Sequence, residues 1–226
     1  MQESANNPQS VGPWRVEAAR YALLRRLAFA MRHHMVVHLQ PIGMITELME
    51  RRLNAAEPDL AQVQQSMDRI NGFSRAAVQS CLDMVSWLAP DADATIELKA
   101  GIAECLSLLR SNLGFRGFTV RESIEDGQTP VGRAALRSVL PAALLTLTDT
   151  AAAPAIVIVS AYAGPSGAAV SLSVESGRGS PGFAGDRPYR FLGWDEVQAL
   201  AEVDGAAIDR DGETAHLTFR TPGNAA

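Results

Sequence analysis

The chain has 226 residues, a net charge of -5, 47% hydrophobic residues and a mean hydropathy of +0.01. That balance fits one large folded domain or two small ones and excludes a disordered chain. It gives no general basis for nucleic-acid binding, and no stretch approaches the roughly 18–20 uninterrupted apolar residues that span a bilayer. Cys81 and Cys105 show no metal-ligand spacing. They read as small buried hydrophobes of a reducing compartment, so the expected location is cytoplasmic.

Residues 1–13 are polar, contain Asn6-Asn7-Pro8 and lack the apolar core of a signal peptide, which predicts a flexible tail. Residues 14–53 read as one helix. Along it Leu24, Ala28, Met31, Met35, His38, Ile42, Ile45 and Met49 recur at alternating spacings of four and three, the pattern of a helix packed in a bundle. With Met31 at d and Met35 at a, His33 falls at f, furthest from that seam. His34 falls on the shoulder at g, and His38 lies in the seam. Three histidines close in sequence are thereby assigned three environments, with His33 alone fully presented to solvent. Pro41 follows two turns after His33. Inside a helix it frees the carbonyl of Val37 and bends the axis.

A break at Ala55-Ala56-Glu57-Pro58 ends in Asp59, an expected N-cap. A second helix then carries Leu60, Val63, Met67, Ile70, Ser74, Ala77, Cys81, Met84 and Leu88 as its predicted seam. Two long helices with a tight connection form an antiparallel hairpin. An isolated hairpin cannot bury wide apolar stripes on both helices, so two copies are expected to pair as a four-helix bundle, making the protein a homodimer. Residues 14–90 form this predicted domain, and Ala89-Pro90-Asp91-Ala92-Asp93 reads as the linker.

Residues 94–222 change character. Strands are expected at 95–98, 118–123, 155–161, 168–175, 207–209 and 216–220, with helices at 100–113, 132–148 and 194–203. Gly164-Pro165-Ser166-Gly167 supplies hairpin chemistry between two of the strands. This order predicts a two-layer α/β sandwich with helices on one face of a mixed sheet. The fold class is thus a helical hairpin of a dimeric four-helix bundle followed by an α/β domain.

The stretch His33-His34-Met35-Val36-Val37-His38-Leu39-Gln40-Pro41-Ile42 resembles the phosphoacceptor helix of dimeric histidine kinases. One branch of that family reads His-Asp-Phe-Asn-Asn-Leu-Leu-x-Pro-Ile. His34 replaces the Asp, and Val36 and Val37 replace the Asn pair. The commoner branch, with its proline five residues after the histidine, would place Val36 at the acceptor position. The first alignment agrees with the periodicity, which turns His33 outward. In the second domain, 193–208 is similar to the Gly-Leu, helix, Gly-Gly-x-Ile ending of the family's ATP-binding domain.

The resemblance implies where nucleotide motifs should stand. The family's Leu-Arg-x-Val-Leu pattern appears as Leu136-Arg137-Ser138-Val139-Leu140, and the positions of the magnesium-binding asparagine are Ala142 and Thr146. Its Asp-x-Gly-x-Gly box has a remnant at Glu175-Ser176-Gly177-Arg178-Gly179, where the glutamate's extra methylene displaces the carboxylate. The same stretch also reads as a plain glycine turn. The glycine-rich lid is reduced to Gly193, and Gly182 and Gly185 do not rebuild it.

The chain looks like a bidomain bacterial histidine phosphotransferase, a kinase-like dimer whose ATPase-like domain has lost its nucleotide. That resemblance implies phosphate exchange between receiver-domain aspartates through His33, with His34 assisting or serving instead if the helix phase is rotated. It implies no cofactor of the chain's own, since the receiver supplies magnesium. Response-regulator receivers, and with them a hybrid histidine kinase, are the expected partners, met by Arg25, Arg26, Arg32 and Gln40. Each arginine read singly is equally a solvated helix face. A metal pair at His34 and His38 is sterically allowed but has no third ligand nearby. The alternative is a non-catalytic pseudokinase that regulates or scaffolds by binding alone, a reading favoured by Val36 and Val37.

Overall fold

The structure, a computed structural model, describes residues 12–125, 127–164, 167–180, 182–183 and 189–221. Two long helices come first, α1 (Pro13–Leu53) and α2 (Leu60–Leu88). The alternating elements follow as β1 (Thr95–Glu97), α3 (Leu98–Phe115), β2 (Phe118–Ile124), β3 (Pro130–Gly132), α4 (Arg133–Thr150), β4 (Ala155–Gly164), β5 (Gly167–Ser176), α5 (Trp194–Val203), β6 (Ala206–Asp211) and β7 (Thr214–Arg220). Pro13 already opens α1. The tail expected over 1–13 otherwise lies, Gly12 apart, outside the described residues, as do Pro165, Ser166 and Gly185.

Asp59 caps α2: the backbone N–H groups of Ala61 and Gln62 donate to its Oδ1 at 3.0 and 3.1 Å. These are donors that a helix start would otherwise leave unsatisfied. Arg52, near the end of α1, reaches across the connection to Ser66 Oγ at 3.1 Å, setting the two helices antiparallel. Along α2 the less exposed line is Val63, Ser66, Ile70, Phe73, Ala77, Ser80, Met84 and Trp87. The predicted α2 seam is corrected here, because Leu60, Met67, Ser74, Cys81 and Leu88 are exposed. The helix carries two apolar stripes, and the sequence pattern merged them.

The chain divides into two compact units: residues up to Leu27 together with those from Asp91 onward, and Ala28–Pro90. The boundary falls inside α1, so the first turns of the predicted hairpin belong with the α/β unit. Val16, Ala19, Ala22, Leu23 and Leu27 are all buried, the apolar stripe that holds this half of the helix in place.

In the α/β unit, five strands run in the order β2-β4-β5-β7-β6. β2 and β4 are parallel, and the remaining pairs are antiparallel. The parallel pair is joined through α4, the crossover such a pair requires. Alternate residues Val157, Val159, Leu217 and Phe219 are buried on one sheet face, while Ser160, Ser171 and His216 lie on the other. Leu136, Leu140, Leu144 and Leu147 of α4 are almost wholly buried. Gly101 lets α3 approach, because a Cβ there would collide with Leu136. β1 pairs with β3, a three-residue strand too short for alternation to reveal. Among the described residues no helix is long and apolar enough to cross a membrane.

Glu104 of α3 ties α3 to α4 by accepting hydrogen bonds from Arg133 at 3.0 and 3.3 Å and from the buried Arg137. Burial alone would raise its carboxyl. The guanidinium hydrogen bonds of Arg137 and Arg133 outweigh that and bring it below the ordinary 4.5. A carboxylate held low stabilises the fold above its unfolded range, and this contribution is lost as pH falls through the lowered value. Glu104→Gln is therefore expected to cost about 1–2 kcal/mol at neutral pH. The difference from the wild-type chain should close under acid conditions, as read by urea unfolding across pH.

Candidate functional site

On α1 the burial phase follows the predicted seam through the histidines. Met31 and Ile45 are buried, and Met35, His38, Ile42 and Met49 are half-buried. The intervening face is turned to solvent. His33 is exposed on it, whereas His34 is half-buried on the shoulder. Pro41 lies inside the helix, which continues unbroken to Leu53. Having no N–H, Pro41 leaves the carbonyl of Val37 without its helical donor one turn from His33.

The surroundings of His33 are apolar. Phe29, one turn before it, is 52% exposed, and Val36 and Val37, one turn after, are 45% and 47% exposed. The guanidinium of Arg32 lies 5.4 Å from the centroid of the Phe29 ring, within cation–π range. Gln40 is exposed two turns on. His34 and His38 gain no third ligand: among the described residues no cluster of three or more His, Cys, Asp or Glu stands ready for a metal.

The expectation for Arg26 is corrected. Its side chain is 6% exposed and forms a two-pronged pair with Asp149 near the end of α4, Nη2 donating to Oδ1 at 2.8 Å. Arg116 donates to the same Oδ1 at 3.0 Å and to the Thr148 carbonyl at 2.9 Å. Arg26 is therefore a buried structural ion and is withdrawn from any partner-facing surface. Arg25 remains exposed, 5.2 Å from the Tyr189 ring centroid.

The positions that the resemblance assigns to nucleotide differ in exposure. Ala142 and Thr146 are buried within α4 at 0% and 2% exposure. The Thr146 hydroxyl makes no hydrogen bond among the described residues and faces no solvent. Glu175 stands exposed in β5 opposite Ile156. Gly177 is there for close packing: its N–H donates to the Pro154 carbonyl at 3.0 Å, and a Cβ would lie 3.0 Å from the Cα of Ala155. Gly179 takes a φ of +156°, which a side chain rarely adopts.

α5 starts at Trp194 with Gly193 as its N-cap, and a helix start presents backbone N–H groups of the kind that bind phosphate. Its first turn instead carries Asp195 and Glu196. Glu196 accepts from the Gly193 N–H at 3.0 Å and pairs with both terminal nitrogens of Arg190 at 2.7 Å. The Arg190 guanidinium foremost, with the Gly193 N–H, holds the Glu196 carboxyl below its usual range against the opposing effect of burial. Arg190 also donates to the Ala18 carbonyl of α1 at 2.9 Å, Arg15 pairs with Asp195, and Arg20 pairs with Asp204. Sequence reasoning missed this network. Its partners are too far apart in the chain for spacing to join them.

No protein-family model and no curated protein matches the chain. Solved structures do. The chain is similar to Acinetobacter baumannii histidine kinase AdeS, at 16% identity over 82% of this chain and 98% of that one, with a TM-score of 0.41. It is also similar to a bacterial phosphotransferase, at 14% identity over 95% of this chain and 100% of that one, with a TM-score of 0.42. A third is the histidine kinase ThkA in complex with the response regulator protein TrrA, at 13% identity over 96% and 68%, with a TM-score of 0.43. At identities this low, function rests on the chain's own residues.

Proposed function

We propose that the protein is a histidine phosphotransferase of a two-component phosphorelay, exchanging phosphate with receiver-domain aspartates through His33. The observation that carries this reading is the exposed imidazole of His33 on the outward face of α1. Phosphorylating a histidine from ATP requires held triphosphate and magnesium. Ala142 offers no ligand atom, the Thr146 hydroxyl is buried, and Asp195 and Glu196 at the start of α5 are engaged by Arg15 and Arg190. An acyl phosphate arrives already activated, and its receiver brings magnesium and an acidic pocket. The histidine protein then has only to offer an imidazole lone pair in line with phosphorus. Arg25 and Arg32 stand exposed on the same helix to meet an acidic partner.

The functional unit in this reading is a homodimer. Within Ala28–Pro90, Met44, Leu60, Val78, Leu82, Val85 and Leu88 are each more than half exposed, which a second copy of the hairpin would cover. A hybrid histidine kinase is the proposed upstream donor. Val36 and Val37, where the resembled motif has asparagines, favour the second reading, a pseudokinase that binds receivers without accepting phosphate.

The two separate on incubation with receiver domains bearing a labelled aspartyl phosphate. The transfer reading expects acid-labile, base-stable label on this chain. Complex formation without such label supports the binding reading instead. Magnesium-dependent ATP binding in a calorimeter would overturn both.

A further inference from the structure

An exposed phosphorylated imidazole can lose its phosphate in two ways. A partner carboxylate can attack: a P–O bond forms, the P–N bond breaks and the imidazole nitrogen leaves with the electron pair. Alternatively water attacks, one of its protons passes to a nearby base, and inorganic phosphate departs. The second route is accelerated by any polar side chain that holds or deprotonates the water beside phosphorus. Around His33 such groups are scarce. The outward neighbours one turn away are Phe29, Val36 and Val37. A helical side chain leans over the turn before its own Cα, so Val36 and Val37 cover the patch at His33. Of the adjoining polar residues, Arg32 is engaged over Phe29 and is a cation, while His34 is half-buried on the shoulder.

We infer that Val36 and Val37 are the residues that commit this site to transfer rather than hydrolysis, by presenting no water-holding side chain beside the phosphoryl. The inference rests on the phosphotransfer reading and specifies its outcome: phosphate taken up on His33 stays until a partner aspartate removes it. The same two valines favour the binding reading when taken as departures from the resembled motif, and here they acquire a positive role.

The full chain, treated with phosphoramidate as a small-molecule donor, tests this without any partner. Label is compared in the wild-type chain and in His33→Ala, and its first-order loss is then followed at neutral pH. Val36→Asn and Val37→Asn are expected to shorten the lifetime of the label at least fivefold, while Val37→Ile keeps it within twofold. All three substitutions lie at two exposed positions, and circular dichroism verifies the fold. If the wild-type chain is labelled at His33 but both asparagine variants lose phosphate at its rate, the role of the valines is overturned alone. Equal labelling of the wild-type chain and His33→Ala overturns the phosphotransfer reading and this inference with it.

Discussion

Replacing His33 with alanine is expected to abolish transfer from a phosphorylated receiver, lowering the rate by at least about a thousandfold. The substitution removes the nucleophile itself, so nothing remains to form the P–N bond. Because His33 is exposed, the fold should be unaffected, with an unfolding free energy within about 0.5 kcal/mol of the parent chain. His34→Ala provides the contrast. It sits half-buried on the shoulder, and its loss is expected to slow transfer by no more than about tenfold through lost assistance. His38→Ala should act on bundle stability and leave the chemistry in place. The measurement is the initial rate of base-stable labelling for the three variants side by side. If His34→Ala silences the chain while His33→Ala remains active, the acceptor is His34, and the outward phase of His33 has no chemical meaning.

The position of His33 was legible because it depends only on local geometry. A period of alternating threes and fours fixes which face of α1 turns inward, and Met31 and Ile45 are buried where that period requires. α2 was harder to read for a physical reason. Leu60, Met67, Val78, Leu82, Val85 and Leu88 form an exposed apolar stripe beside the line through Val63, Ala77 and Trp87, and hydrophobicity alone cannot say which stripe faces α1. In the α/β unit, the long elements announced themselves through β-branched alternation and the apolar run of α4. β3 did not, because three residues with a proline carry no period.

The fate of Arg26 could not be read at all. A charged residue on a helix is solvated by default. Only the fold reveals that Asp149, 123 residues further on, waits for it in a buried place. The same distance hides the meeting of Arg15, Arg20 and Ala18 with Asp195, Asp204 and Arg190. Together these contacts give the first half of α1 to the α/β unit, and the outward histidine lies just beyond the point where that ownership ends.

Asp149 is where this arrangement should be most sensitive. Its carboxylate, 6% exposed, serves two guanidiniums at once, Arg26 at 6% and Arg116 at 20%. Asp149→Ala leaves both cations without their counter-ion in a poorly solvated place, and breaking a buried pair from one side costs about 3–5 kcal/mol. For a chain of this length that corresponds to a fall in melting temperature of roughly 6–20 °C. Arg26→Met is expected to cost less, since the carboxylate keeps Arg116 and a linear apolar side chain fills the space of the lost stem. Asp149→Asn should fall between them: it retains an acceptor oxygen but not the charge. Urea unfolding of the three variants checks the order. A cost for Asp149→Ala below that of Arg26→Met would mean that the carboxylate, rather than the guanidiniums, is the group strained by burial. The anchoring of α1 would then rest on Val16, Ala19, Ala22, Leu23 and Leu27 alone.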